Sequence, residues 1–400
     1  MDMNESPEAE PEPGASRRSF LRGAGLVAGG LVGSSALLSA CTPGKNKSAD
    51  AVPASAASGA GAAGGALTGF SAYDDLVRTK TAGRTIKLGF TPTFLAEFFT
   101  QIEGAMFQRM YELETAYGVK WAYKRQTPAQ NSFNSTQALI QIIQNLASQK
   151  YDALVVDSGG DFATMENAYR DALKSGTKCF QINMVPEMHF DKEDRFVFQS
   201  SVGYDNKFQA GFVVGDYIGQ TLKGNGTVMQ IWGPPGSEFA DARQAGFDAA
   251  LAKYPGLKVV AKGNGQYQRN TGFTVTQDLL TRYPNVNAIY GENDDMALGA
   301  AQAVDARGLK HWDGQKGVVI VGADGLLSGM KAIRDGKLTA SVDVNTVDIG
   351  RYVIDDVFHS VVLGDAVPKL HWVPTRLVTK ENVDIPEAYM KWSLKPAKKY

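Results

Sequence analysis

The sequence predicts an α/β protein in which parallel sheets, wrapped by helices, form two doubly wound lobes. Three observations lead there. From Arg84 onward the hydrophobic period switches repeatedly between 2 and 3.6 residues. Several of the period-2 segments are unbroken apolar runs, such as Ala153-Leu154-Val155-Val156 and Val318-Val319-Ile320-Val321, which suit strands covered on both faces. Roughly ten strands in about 300 residues fill two sheets of five or six better than one.

The elements follow in order. Ile86 to Phe90 reads as a strand, Phe98 to Tyr117 as a helix and Val119 to Lys124 as a strand. Leu139, Ile142, Ile143 and Leu146 fall at i, i+3, i+4 and i+7, one face of a helix. Strand 153–156, a helix through Ala168 and Leu173, and strand 177–183 complete the first half. An irregular stretch near 186–205 marks the first passage to the second lobe. There the rhythm resumes, with helices over 208–222, 238–254, 271–283, 296–307 and 326–334. Strands over 227–231, 257–261, 288–290, 318–321 and 338–344 separate them. Such alternation requires right-handed crossovers between parallel strands.

The N-terminal region reads as an address. Ser16-Arg17-Arg18-Ser19-Phe20-Leu21-Arg22 precedes a weakly apolar run ending in Leu38-Ser39-Ala40-Cys41. The paired arginines resemble a twin-arginine export signal, and the closing segment resembles a lipobox in which Cys41 carries lipid. Residues 1–40 are therefore expected to be a signal. Residues 41–83, rich in Ala, Gly and Ser, are expected to be a flexible tether on the outer face of the cell membrane or in the periplasm.

Composition narrows the partners. Residues 1–40 carry three arginines against five acids, which leaves 38 basic and 37 acidic residues in the remainder. A near-neutral body gives no electrostatic reason to bind nucleic acid. With Cys41 lipidated, Cys179 stands alone and reads as a buried strand residue. The four histidines form no His-x-x-x-His pair, and no Cys-x-x-Cys, GxSxG or P-loop spacing occurs. No catalytic residue, metal or cofactor is expected, and the chain is not read as an enzyme.

Ligands of open parallel sheets bind beyond the carboxyl ends of strands. The residues there include Phe98-Phe99, Asp157, Asn183, Tyr267, Asn293 and Asp324. Aromatic faces stack on the C–H faces of sugars, while amides and carboxylates satisfy hydroxyls. Asn293 and Asp324 could equally cap the helices that follow them. Asp294 and Asp295 suit a helix start through the dipole.

Glu292-Asn293-Asp294-Asp295-Met296-Ala297-Leu298-Gly299-Ala300 resembles a segment of ribose-type periplasmic sugar-binding proteins. Val321-Gly322-Ala323-Asp324-Gly325, Asp335 to Ala340, Arg243-Gln244-Ala245-Gly246-Phe247 and Phe98-Phe99 are similar to further segments in the same order. The resemblance implies a type I periplasmic-binding-protein-like fold, with a three-segment hinge near Val202, Val344 and Pro374. It implies a first lobe of 84–202 with 345–374, a second of 203–344 with 375–385, and a tail of 386–400. Phe98, Phe99 and Tyr267 would sandwich a sugar or polyol ring; Arg243, Asn293 and Asp324 would bond its hydroxyls. Asn183-Met184 stands where the family has an Asp-Arg pair, leaving Asn183 as the hydroxyl-binding group. The implied protein is a monomeric binding component of an ABC importer that closes on its ligand and meets a membrane permease. A sensor presenting the ligand to a signalling partner is the alternative.

Overall fold

The structure is a computed structural model that describes residues 68–400 except 130–134, 159–161, 184–196 and 205–206. The export and lipidation residues Arg17, Arg18 and Cys41 lie outside the described residues, as does Met184.

The first lobe is built on β1 (Thr85–Thr91), β2 (Lys120–Arg125), β3 (Ala153–Val156), β4 (Lys178–Ile182) and β5 (Ser201–Tyr204). Its helices are α1 (Thr68–Thr81), α2 (Glu97–Tyr117), α3 (Thr136–Ser148) and α4 (Phe162–Lys174). The second lobe holds α5 (Lys207–Thr221), β6 (Asn225–Trp232), α6 (Glu238–Leu251), β7 (Gly256–Asn264) and α7 (Arg269–Arg282). It continues through β8 (Ala288–Gly291), α8 (Asp294–Ala306), β9 (Val319–Asp324), α9 (Leu327–Arg334) and β10 (Ala340–Asp343). The chain then forms α10 (Thr346–Val357) with a π-helical extension (Phe358–Leu363), β11 (Leu370–Val373), β12 (Arg376–Thr379) and α11 (Asp384–Ser393).

The two sheets are wound alike. The first has the order β11-β5-β4-β3-β1-β2, the second β12-β10-β9-β8-β6-β7. The central strands β3, β8 and β9 are buried throughout, as their unbroken apolar runs require. Every described pairing is parallel except β10 with β12, which is antiparallel. The exception has a geometric cause. Only residues 374–375 separate β11 in one sheet from β12 in the other. The chain therefore leaves one sheet at a strand's carboxyl end and enters its neighbour at the same level, running back.

The chain passes between lobes after β5, after β10 and after β11. Tyr204 belongs to the first sheet, so the first passage follows it and does not begin in the stretch before it. Residues 68–81, read above as tether, form α1. Its Val77 is buried, and its Thr81 hydroxyl donates to the Tyr117 carbonyl at 2.5 Å. Ala, Gly and Ser dominate only up to Gly69, and beyond it Val77 supplies an apolar residue to bury, while Tyr73 stays exposed.

The expected tail is likewise ordered. Met390 of α11 is buried in a cluster with Ala105 of α2 and Val347 of α10, against which Leu327 of α9 also packs. Gln108 Nε2 donates to the carbonyls of Trp392 at 2.9 Å and Lys395 at 3.2 Å. Arg334 of α9 pairs with Asp384 at 2.8 Å and with Glu387. The C-terminal helix thus touches helices of both lobes.

Close helix packing holds the second lobe's site in place. A β-carbon on Gly246 would meet the Phe208 carbonyl oxygen at 1.9 Å, and one on Gly211 would meet the Arg243 carbonyl oxygen at 1.9 Å. Only glycine at both points lets α5 and α6 approach so closely, which fixes the height of Arg243. Cys179 is buried in the first lobe, and burial pushes its thiol up to about 12. Among the described residues no helix is long and apolar enough to cross a membrane.

Candidate functional site

In both sheets the winding reverses beside the first strand, between β1 and β3 and between β6 and β8. Crevices open at such switch points, beyond the carboxyl ends of the strands. Here the two crevices share one cavity of about 60 Å³. A single water needs roughly 10–15 Å³ on this measure, so there is room for a molecule of several heavy atoms.

All seven expected ligand residues line this cavity: Phe98, Phe99 and Asn183 from the first lobe, Arg243, Tyr267, Asn293 and Asp324 from the second. Phe94, Ala96, Asp157, Phe239 and Asp295 complete it. Asp157 and Asp295 stood in the strand-end segments already singled out, so the strand-end rule contained them. Phe94 likewise follows the first strand; Phe239 carried no separate signal, because an aromatic residue beside a helix start has the same pattern whether it enters a core or a cavity.

The aromatic wall is built at the start of α2. Phe99 meets Phe94 at 5.4 Å between ring centroids and Phe98 at 5.2 Å, both edge to face, the arrangement ring quadrupoles favour. On the opposite side, Tyr267 lies against Gly233, where a β-carbon would come within 2.3 Å of the ring. Its hydroxyl is 2.9 Å from Ser237 Oγ. Burial pushes its phenol well up, so it stays protonated.

Arg243 is the centre of the polar wall and is 4% exposed. Its Nη2 donates to Asp324 Oδ1 at 2.8 Å and to the Tyr204 hydroxyl at 3.2 Å. Its Nη1 donates to the Glu292 carbonyl, while its Nε is buried without a partner among the described residues. Burial pushes the Asp324 carboxyl up to about 6, against the opposing pull of the Arg243 guanidinium. Asp324 does not cap α9; the free Leu326 N–H donates to Asp294 instead, at 2.7 Å.

Asn293 does cap its helix. Its side-chain oxygen accepts from the Met296 N–H at 2.9 Å and its amide donates to the Tyr267 carbonyl at 3.4 Å. The capping alternative therefore holds for Asn293, which lines the cavity as well. In the first lobe, Thr93 donates to the Asp157 carboxylate, and Asn183 Nδ2 reaches Asp157 Oδ1 at 3.4 Å.

Asn183 (φ 69°), Tyr267 (φ 56°) and Asp324 (φ 112°) all occupy left-handed backbone that side chains disfavour. Strain of this kind costs of order 1–3 kcal/mol per residue and persists where surrounding structure over-determines it, often in ligand clamps. A second carboxyl, Glu292, is fully buried just behind the cavity. It accepts from the Gly233 N–H at 2.6 Å, and burial pushes it up to about 8. No group of three or more His, Cys, Asp or Glu among the described residues is arranged to hold a metal ion.

Across the cleft, Glu97 Oε1 at the start of α2 accepts from the Ser328 N–H of α9 at 2.9 Å. The two lobes thus touch at the cavity's rim. Such a cavity offers ring faces and a few fixed polar groups to one small molecule held from both sides.

Comparison with known proteins agrees with this geometry. The periplasmic binding protein domain family matches residues 88–361. A ribose import binding protein of Salmonella typhimurium is 30% identical over 249 residues, covering 58% of this chain and 81% of the relative. A xylitol-binding protein of Mycolicibacterium smegmatis is 31% identical over 166 residues, covering 41% of this chain and 45% of that one. Among solved structures, a solute-binding protein from Actinobacillus succinogenes with bound D-allose superposes with a TM-score of 0.65 at 22% identity. That match covers 75% of this chain and 99% of the other. One from Bacillus halodurans with bound myo-inositol gives 0.65 at 24% identity, covering 76% and 98%. The ordered segments around Phe98, Arg243, Asn293 and Asp324 had pointed to the same fold.

Proposed function

Because the chain belongs to the periplasmic binding protein domain family, we propose that it is the extracytoplasmic solute-binding component of an ABC importer for a sugar or sugar-like polyol. The observation that carries this reading is the cavity lined from both lobes, with Phe98 and Phe99 on one side and Tyr267, Arg243 and Asp324 on the other. A ring stacked on the aromatic wall leaves its hydroxyls toward Asp157, Asn183 and the Arg243–Asp324 pair. Because both lobes contribute contacts, the ligand favours the closed arrangement over an open one by the sum of contacts that only closure makes. A membrane permease that reads the closed form then receives the ligand.

Relatives that bind ribose, xylitol, D-allose and myo-inositol set the range of ligands to try. Arg17-Arg18 and Leu38-Ser39-Ala40-Cys41 support export by the twin-arginine route and lipid anchoring at Cys41. A thermal-shift screen of the purified protein against pentoses, hexoses and polyols tests the reading. One or more should raise the melting temperature in a concentration-dependent way. A flat response across all of them overturns it.

A further inference from the structure

The polar groups of the cavity are unevenly matched. Three carboxylates, Asp157, Asp295 and Asp324, face one guanidinium, Arg243. That guanidinium already gives Nη1 to the Glu292 carbonyl and Nη2 to Asp324 and Tyr204. Asn293 has its oxygen on the Met296 N–H and its amide on the Tyr267 carbonyl. The wall's donors are thus largely engaged within the protein.

Asp157 accepts from Thr93 and Asn183, but two other acceptors are only half used. Arg269 donates to Asp295 through Nε at 3.0 Å and Nη2 at 2.7 Å, both to Oδ1, so Asp295 Oδ2 has no hydrogen bond among the described residues. Asp324 likewise uses only Oδ1, on Arg243. Neither Oδ2 is sealed from solvent. Much of the remaining wall is aromatic, with Phe94, Phe98, Phe99, Phe239 and Tyr267, and ring faces attract cations. A ligand that fits these walls brings donors and positive charge; one that brings negative charge meets the open lone pairs of Asp295 Oδ2 and Asp324 Oδ2, whose partners Arg269 and Arg243 are already engaged at Oδ1, in a site with little water to screen the repulsion.

We propose that the cavity selects an amino sugar or amino-polyol, its ammonium bonded by the free oxygens of Asp295 and Asp324, over the neutral parent, and rejects the corresponding sugar acid. This rests on the sugar-binding reading above and narrows it.

Isothermal titration of the intact protein with matched triplets tests it: glucose, glucosamine and glucuronate; glucitol, glucamine and gluconate; ribitol, ribitylamine and ribonate. In a triplet that binds, the amine should be at least tenfold tighter than the neutral compound and the acid undetectable. A neutral or acidic member binding as tightly as the amine overturns the proposal while leaving the sugar-binding reading intact. Absence of binding in all three triplets, together with a flat sugar screen, overturns both; binding of other neutral sugars with no response to any amine overturns the proposal alone. In Asp295→Asn the amine-to-neutral ratio should fall close to one, and a ratio of ten or more surviving there removes Asp295 from the assignment.

Discussion

At the scale of single residues, the Arg243–Asp324 pair sets how the cavity responds to pH. Asp324 is ionised above about pH 6 and protonated below it, because burial lifts its carboxyl from the ordinary range. Protonation removes the charge that pairs with Arg243 and accepts from a ligand. Affinity for a neutral sugar is therefore expected to drop by about tenfold between pH 7.5 and 5, roughly 1.4 kcal/mol. Asp324→Asn should bind more weakly at pH 7.5 and lose most of that slope, as titrations at the two pH values would show. Tyr267→Ala removes the ring opposite Phe98 and Phe99 and should cost about 1–3 kcal/mol of binding. An unchanged dissociation constant would place Tyr267 outside the site.

Glu292 acts on stability with a sign that can be worked out. Its carboxyl moves from an ordinary 4.5 to about 8 in the folded protein. Between those values the folded state holds a proton that the unfolded chain has lost, so this contribution is complete below pH 4.5 and disappears as pH rises through 8. The melting temperature should fall between pH 6 and 9, by a loss on the order of a few kcal/mol. Glu292→Gln, which keeps an acceptor for the Gly233 N–H, should flatten that decline.

At the scale of elements, α11 reaches outside the region matched by the family, which ends at residue 361. It is anchored to α2 and α10 through Met390, and through the Tyr389 hydroxyl, which donates to Asp348 at 2.7 Å. It meets α9 of the other lobe through Arg334. A helix seated on both lobes adds contacts that an opening motion about the hinge must break. Removing residues 384–400 should lower the melting temperature by several degrees and increase the radius of gyration of the ligand-free protein. Small-angle scattering that superposes with the intact chain would show that α11 stabilises one lobe without restraining the pair.

At the scale of the whole molecule, the binding lobes and the proposed N-terminal address are expected to make separable contributions. Cys41→Ala is expected to release the protein from membranes while leaving sugar affinity in place, since Cys41 lies more than forty residues before β1. A fractionation assay reads the first effect and titration the second. A lipid chain contributes about 0.8 kcal/mol for each buried methylene, far more in sum than contact between a near-neutral body and headgroups supplies.

The sequence by itself determined the alternation of strands and helices, the two sheets and the segments at their carboxyl ends. These are properties of local periodicity: unbroken runs such as 153–156 and 318–321 have one stable placement, between two layers of helix. It also contained the residues on both sides of the cavity, because ligands meet parallel strands at their ends. Tertiary structure alone decided how those residues are used. Asn293 caps a helix and Asp324 does not, although both follow a strand and precede a helix. The difference is that Arg243, brought close by the glycine contacts of α5 and α6, reaches Asp324. The reversed strand β12, the ordered α1 and the bridging α11 were likewise hidden, since each owes its place to surfaces distant in the chain. Which side chain meets which depends on where separate strand ends converge, and no local period records that.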